Sequence, residues 1–423
     1  MSGTDFVSGR TLGAVRVSEE SSFCTTGTEI RCYPVAGSVE IQRMQAEINV
    51  SALRPRPWDA QDPVLGDKSA TCKASFYLQP PTTRLDASAA PTDYDDSACP
   101  SHVFLRCLIG GLSVAVGTSV ETAVTPSAAS GATVEGSQGS RLPAGQLCLV
   151  TDPDSSIGLV PARILTRSTD AVTWWPSLSG APADESAIVV LPTFYPTRTN
   201  TRSLSLALAP TQASSRQELL NGGTGSLSLT FERDGLATFS VDLAFAQWTG
   251  PSSQSYGTTH AADPMAAPLA CRTATLYLQA QATTTRVNYI VDTAAVSLNL
   301  GNAHVKTLTG GTNGVRGVIR KENLNAPACE LDLTGPDDSQ IETWWAARTE
   351  LSAMLFVTAD YSGGRRAIVL DVPRCVIVGT PERSDGDGAL VKIKWKLVAH
   401  LDDTTSGGGV ELAEAPWRLG VGG

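Results

Sequence analysis

The sequence predicts a mainly β protein: two tandem β-sandwich or barrel domains, each with a flanking helix, plus a small inserted β-domain. Three observations carry this. Runs of alternating apolar and polar residues recur along 423 residues, between turns supplied by 38 glycines and 25 prolines. Hydrophobic residues make up 42% of the chain, enough to fill packed cores. The order of elements in the first part also returns in the second. The length exceeds what one core usually serves, so two or three domains are expected.

The elements follow in order. Residues 1–30 are polar and weakly patterned and read as an N-terminal arm. Val39–Gln42 begins a strand, and a Pro- and charge-rich connection, Leu53 to Lys68, leads to the alternating ATCKASFYLQ from Ala70. Asp93, Asp95, Asp96 and Ser97 precede SHVFLRCLIGG, a short helix closed by Gly110-Gly111; acids at a helix start suit the dipole and the cap. From 112 to 200, Ser, Thr, Gly and Ala dominate and strands are short (QLCLV, AVTWW, AIVVLPTFY), which reads as the inserted domain. RSLSLALA, GSLSLTFE and, after an Asp234-Gly235 turn, LATFSVDLAFAQW complete the first domain, 31–111 with 201–250. A Ser/Gly/Ala/Pro linker covers 251–270.

The second domain, 271–403, starts again with strands at Thr273–Gln279, Val287–Val291 and Val296–Leu300. A second long connection runs from Gly301 to Lys321, and CELDL follows. Pro336-Asp337-Asp338-Ser339 then caps IETWWAARTELSAMLFV, where Ile341, Trp344, Trp345, Arg348, Leu351 and Leu355 give helical spacing. RRAIVLDVPRCVIVG, a turn at Asp385–Gly388 and VKIKWKLVAHL close the domain, leaving 404–423 as a C-terminal tail. Both final hairpins join an acidic-Gly turn to a long alternating strand. The early strands of the two halves are offset by about 257 residues and the final hairpins by about 153, the difference being the insertion. Duplication with an insertion in copy one is the simplest account.

Composition excludes several classes. No run approaches a membrane span, and the first residues lack a basic region followed by an apolar one, which predicts no signal peptide. The net charge of −10 argues against tight wrapping of nucleic acid. Nine scattered cysteines without a CxxC pattern read as buried free thiols made in a reducing compartment. The four histidines, His102, His260, His304 and His400, lack metal-ligand spacing, and no catalytic motif appears, so no cofactor, no metal site and no enzymatic activity are expected. Gly310–Gly317 is followed by no helix pattern, and SDGDG lacks the later Glu of a calcium loop. Trp174-Trp175 reads either as a carbohydrate platform or as packing, Trp344-Trp345 as core with one ring partly interfacial, and Asp93, Asp95 and Asp96 as a cap or an acidic pair for glycoside hydrolysis.

Both halves resemble the tail tube (major tail) proteins of long-tailed bacteriophages. In the second half the likeness lies in VSLNLGNAHVKTLTGGTNGVRGVIRKENLNAPACELDL, the Trp-bearing helix and AIVLDVPRCVIVGTPERSDGDGALVKIKWKLVAH. In the first it lies in EIRCYPVAGSVEIQRM, GDKSATCKASFYLQP and LNGGTGSLSLTFERDGLATFSVDLAF. The resemblance implies two tail-tube-type domains in one chain and a structural virion protein of the tail, assembled in the host cytoplasm. Its partners would be itself and other phage tail proteins, with DNA passing transiently through the lumen and no membrane involved. Such subunits form six-fold rings whose inner sheets join sideways into a barrel, so three fused chains would make a pseudo-six-fold ring, with a hexamer of two-tier subunits as the other geometry. Ring-stacking contacts are expected from Arg54, Arg56 and Trp58 and from Arg316, Arg320 and Lys321. Thr238, Ser240 and Asp242 in copy one, and Lys392, Lys394 and Lys396 in copy two, are expected on the inner-sheet or inter-domain face, the lysines paired with acids of a neighbouring domain or offset by other lumen acids. The insertion is expected to project outward. The alternative is a carbohydrate- or receptor-binding β-sandwich tail component acting through exposed Trp, with an acidic-pair hydrolase as a further rival.

Overall fold

Two long strands organise the molecule, each shared between two sheets, and a computed structural model shows how the rest is hung on them. The structure describes residues 12–25, 30–32, 35, 38–48, 64–78, 100–113, 120–122, 128–151, 159–210, 217–252, 269–283, 285–306, 315–321, 328–361, 364–385, 391–399 and 411–422. In chain order the elements begin β1 (Leu12–Glu19), β2 (Ile30–Cys32), β3 (Glu40–Ile48), β4 (Val64–Tyr77), helix α1 (Pro100–Ile109) and β5 (Gly110–Ser113). Next come β6 (Val120–Glu121), β7 (Gly131–Thr133), β8 (Leu147–Thr151), β9 (Leu159–Ser168), β10 (Ala171–Trp175), β11 (Ala187–Val190) and β12 (Thr193–Pro196). β13 (Leu204–Pro210), β14 (Gln217–Glu232), β15 (Thr238–Phe245) and β16 (Gln247–Ser252) follow. The second half has β17 (Thr273–Ala280), β18 (Arg286–Ile290), β19 (Thr293–Leu298), β20 (Asn302–Lys306), β21 (Val315–Arg320), β22 (Cys329–Pro336) and α2 (Ser339–Ala347). It ends with β23 (Leu351–Tyr361), β24 (Gly364–Asp385), β25 (Val391–Ala399), α3 (Glu411–Glu414) and β26 (Arg418–Gly422).

The inner sheet runs β3-β4-β15-β14-β19-β22-β25-β24, antiparallel throughout. Its first four strands belong to the first half and its last four to the second. The outer sheets repeat as well. β2-β1-β13-β14-β16 backs the first half, and β18-β17-β23-β24-β26 backs the second, where β12 and β5 extend the edge. The same strand order thus occurs twice in the chain.

Alternation explains the inner strands. Phe239, Val241, Leu243 and Phe245 of β15 are buried while Asp242 and Ala244 are exposed, and Cys329, Leu331 and Leu333 of β22 are buried between half-exposed neighbours. The buried faces of inner and outer sheets enclose the main core. Helix α1 seals its first half, with Phe104 against Phe76 and Phe239 at ring-centroid distances of 4.9 and 5.4 Å. Such aromatic pairs contribute about 0.5–1.5 kcal/mol each beyond area burial.

The inserted residues build their own six-stranded sheet, β6-β11-β8-β9-β10-β7. Its apolar face packs on the back of the second outer sheet, against Tyr277, Met354, Phe356, Ala367 and Val369. The layers therefore run inner sheet, main core, outer sheet, second core, inserted sheet, and the insertion lies away from the exposed face of the inner sheet. Its flanks β5 and β12 pair with each other and, through β26, with β24.

Three expectations are corrected here. The helix expected over IETWWAARTELSAMLFV stops at Ala347, where Arg348 takes a left-handed conformation (φ 49°) as the cap; Leu351 and Leu355 lie in strand β23. That strand is buried on both faces, core on one and insertion on the other, so its apolar run carried no period-two signal. The N-terminal arm is in part a strand, since β1 pairs with β13 from Leu12 to Glu19. The described part of the C-terminal tail, 411–422, is also structural, with Trp417, Leu419 and Val421 wholly buried. The acids at 93–97, the turn at 386–388 and the linker from 253 to 268 lie outside the described residues.

Candidate functional site

The outward face of the inner sheet gathers polar side chains from strands of both halves. Strand alternation dictates it, because every second residue must leave the core. At its centre Ser75 and Ser240 share a hydrogen bond at 2.7 Å, Ser228 stands opposite Ser240, and Ser297 stands opposite Ser228 across the junction of the halves. These hydroxyls, with Glu40 and Asp242, line an open trough of about 520 Å³. Gly225 lets β15 approach here, since a Cβ on it would sit 1.9 Å from the Asp242 carbonyl oxygen.

The expected face residues come together on this surface. Thr238, Ser240 and Asp242 project from β15, and Lys392, Lys394 and Lys396 from β25. Two of the lysines, Lys392 and Lys396, are paired by acids of their own half of the chain. Lys396 Nζ is 2.8 Å from Glu330 and 3.7 Å from Asp332, and the Glu330 hydrogen bond, aided by both carboxylates, raises its pKa. Lys392 Nζ is 3.1 Å from Asp292, and Lys394 stands opposite Glu382. The first half has the reverse arrangement: Lys73 on β4 faces Asp242 on β15 at 3.5 Å. The charges interleave, so neither half presents an unopposed basic row.

Within the connection from Gly301 to Lys321, β20 and β21 pair antiparallel and lie over the first half. Arg320 donates to the carbonyls of Leu108 (2.9 Å), Ile109 (2.7 Å) and Thr197 (2.7 Å). The last carbonyls of α1 have no intrahelical donors, so this guanidinium and the amides of Asn302 and Asn200 satisfy them. Burial lowers the Arg320 pKa to about 10. His304 donates Nε2–H to the Gly222 carbonyl at 2.7 Å, because the carbonyl can only accept. Arg320, expected as a ring-stacking contact, is thus engaged within its own chain, whereas Arg316 and Lys321 are exposed. Arg54, Arg56 and Trp58 lie outside the described residues.

Sequence reading missed one buried constellation. Asp371 on β24 is 3.0 Å from Arg163 of the inserted sheet and 2.8 Å from Arg418 of β26, with all three side chains at most 1% exposed. Arg418 also donates to the carbonyls of Leu412 and Ala413. The available signal was an acid inside the apolar run AIVLDVP; its partners are too distant in sequence to be inferred.

Other candidate chemistry becomes packing. Trp174 and Trp175 are buried, donating to the Ala129 carbonyl and to Gln279 Oε1. Trp344 is buried and Trp345 half-buried against the core. Of the described cysteines, Cys72, Cys107, Cys148, Cys271, Cys329 and Cys375 are buried free thiols, and Cys24 is half-buried. Among the described residues no group of three or more His, Cys, Asp or Glu could hold a metal, and no helix is long and apolar enough to cross a membrane. No family model and no curated protein matches the chain.

Proposed function

We propose that this chain is a structural protein that works by joining copies of itself edge to edge into a closed sheet. Within that class, we propose the tail tube subunit of a long-tailed bacteriophage, carrying two fused tube domains. The observation that supports it is the single inner sheet. Two four-stranded units of equivalent order already join sideways at β14–β19 inside one chain. A sheet that continued in the same way through further copies would close into a barrel, with the polar face inside as the channel wall.

Other features fit. The interleaved lysines and acids give that wall no net grip on phosphate, as passage of DNA requires. The inserted sheet sits on the opposite side, where it leaves the channel open. Because the domains lie side by side and not in tiers, three chains per ring are favoured over six. The glycan-binding alternative loses its platform, since both Trp174 and Trp175 are buried. Negative-stain microscopy of the purified protein tests the reading. Rings or tubes with an open channel, bearing three outer bumps per ring, are expected. Compact monomers at high concentration, with a tail-tip initiator supplied, would overturn it.

A further inference from the structure

We propose that β24 of one chain pairs with β3 of the next in one defined register, with Glu382 opposite Gln42 and Ser384 opposite Glu40. This rests on the self-assembly reading above and adds to it the interface residues and their alignment.

The edges come first. Among the described residues β3 pairs only with β4, and the stretch of β24 from Val376 to Asp385 pairs only with β25. Each therefore presents a row of backbone donors and acceptors on one side, which is a template for another strand.

The register comes from the chain's own junction. From Glu382 onward the two hairpins correspond rung by rung. In the first half, Ser240 faces Ser228 and Thr238 faces Thr230. In the second, Lys394 faces Glu382 and Lys392 faces Ser384. Core residues agree, with Phe239 and Val241 in the places of Ile393 and Trp395. So Glu382 stands where Ser228 stands, and Ser384 where Thr230 stands.

The other edge follows in the same way. Asp242 faces Lys73, which faces Glu40; Lys396 faces Asp332, which faces Ala295. Glu40 therefore takes the place of Ala295, and Gln42, two residues on, that of Ser297. Inside the chain Ser228 pairs with Ser297 and Thr230 with Ala295. Carried to the free edges, that pairing sets Glu382 against Gln42 and Ser384 against Glu40.

The two junctions differ in one respect. β24 has a register shift between Val378 and Glu382, with Gly379 at φ 71°, that β14 lacks. The intermolecular ladder therefore starts at Glu382. Its pairs carry charge where the internal pairs are neutral, which makes it the more separable joint.

Cysteine cross-linking tests the register. The chain with Gln42→Cys and Glu382→Cys is oxidised under assembling conditions and run on a non-reducing gel beside the unsubstituted chain. The two sites lie at opposite ends of eight strands, roughly 34 Å apart at about 4.8 Å per strand, so an intrachain bond cannot form. Covalent oligomers from this pair, and few from Met44→Cys with Glu382→Cys, are expected. Particles that cross-link through the Met44 pair, or through neither pair, would overturn the register and leave self-assembly standing. An unsubstituted chain that forms no particles would overturn both.

Discussion

Arg163 and Asp371, 208 positions apart, meet at 3.0 Å with neither side chain more than 1% exposed. The ion pair bolts the inserted sheet to β24, and Arg418 bolts the C-terminal strand to the same carboxylate. Asp371→Ala would leave two guanidinium groups buried without their shared anion. Loss of one partner of a buried pair costs about 3–5 kcal/mol. Urea unfolding of the variant is expected to show a loss of that order, and limited proteolysis is expected to cut first within 120–190.

Arg320 ties the β20–β21 pair to the end of α1 by three carbonyl contacts. Arg320→Ala leaves those acceptors buried, at about 1–3 kcal/mol for the group. Arg320→Lys is expected to recover only part of this, because an ammonium cannot span the same fork of acceptors. The three melting temperatures should rank wild type, then Lys, then Ala. A Lys variant equal to wild type would show that the charge alone matters.

The inner hairpins were legible because one face is buried and one is not: Phe239 to Phe245 and Ile393 to Leu397 show it residue by residue. β23 was not, since Met354 and Phe356 serve a second core and an unbroken apolar run has no period. β1 and β26 look like tails because Arg16, Ser18 and Arg418 are polar yet buried, and burial of a polar group depends on partners far away. That Thr238, Ser240 and Asp242 and the three lysines of β25 leave the core followed from alternation alone. The Arg163–Asp371–Arg418 triad and the role of Arg320 needed the fold.

Stability on the acid side should depend on His102. Burial lowers its pKa from the usual 6.5 to about 3. Between those values the unfolded chain binds a proton that the folded chain refuses, so stability falls as pH drops, by about 1.4 kcal/mol per unit for one such group. His102→Phe removes that proton. The slope of unfolding free energy against pH from 6 to 4 is expected to be shallower in the variant. Equal slopes would assign the acid sensitivity to the carboxylates.

On the alkaline side the thiols act in the opposite sense. Burial pushes Cys72 and Cys148 up to about 12 from 9.0. Above pH 9 the unfolded chain loses protons that the folded chain keeps, so stability should fall with rising pH across that window. Thiol titration of the native protein at pH 8 should leave both unreacted, and denaturant should release them.

The interleaved charges of the polar face support the last prediction. Glu330 and Asp332 hold Lys396, so replacing them by Gln and Asn leaves Lys392, Lys394 and Lys396 with less opposing charge on one strand. These are half-exposed pairs, worth about 0–1 kcal/mol each, so the fold should persist. Binding to phosphate should not stay the same. If the face is the wall of a DNA channel, its neutrality is functional, and the double variant should bind a short duplex that the parent does not. Fluorescence anisotropy of a labelled duplex at low and high salt checks this. Binding that weakens steeply with salt is expected of the variant. Equal, weak binding by both proteins would mean that the paired acids stabilise the sheet without governing passage.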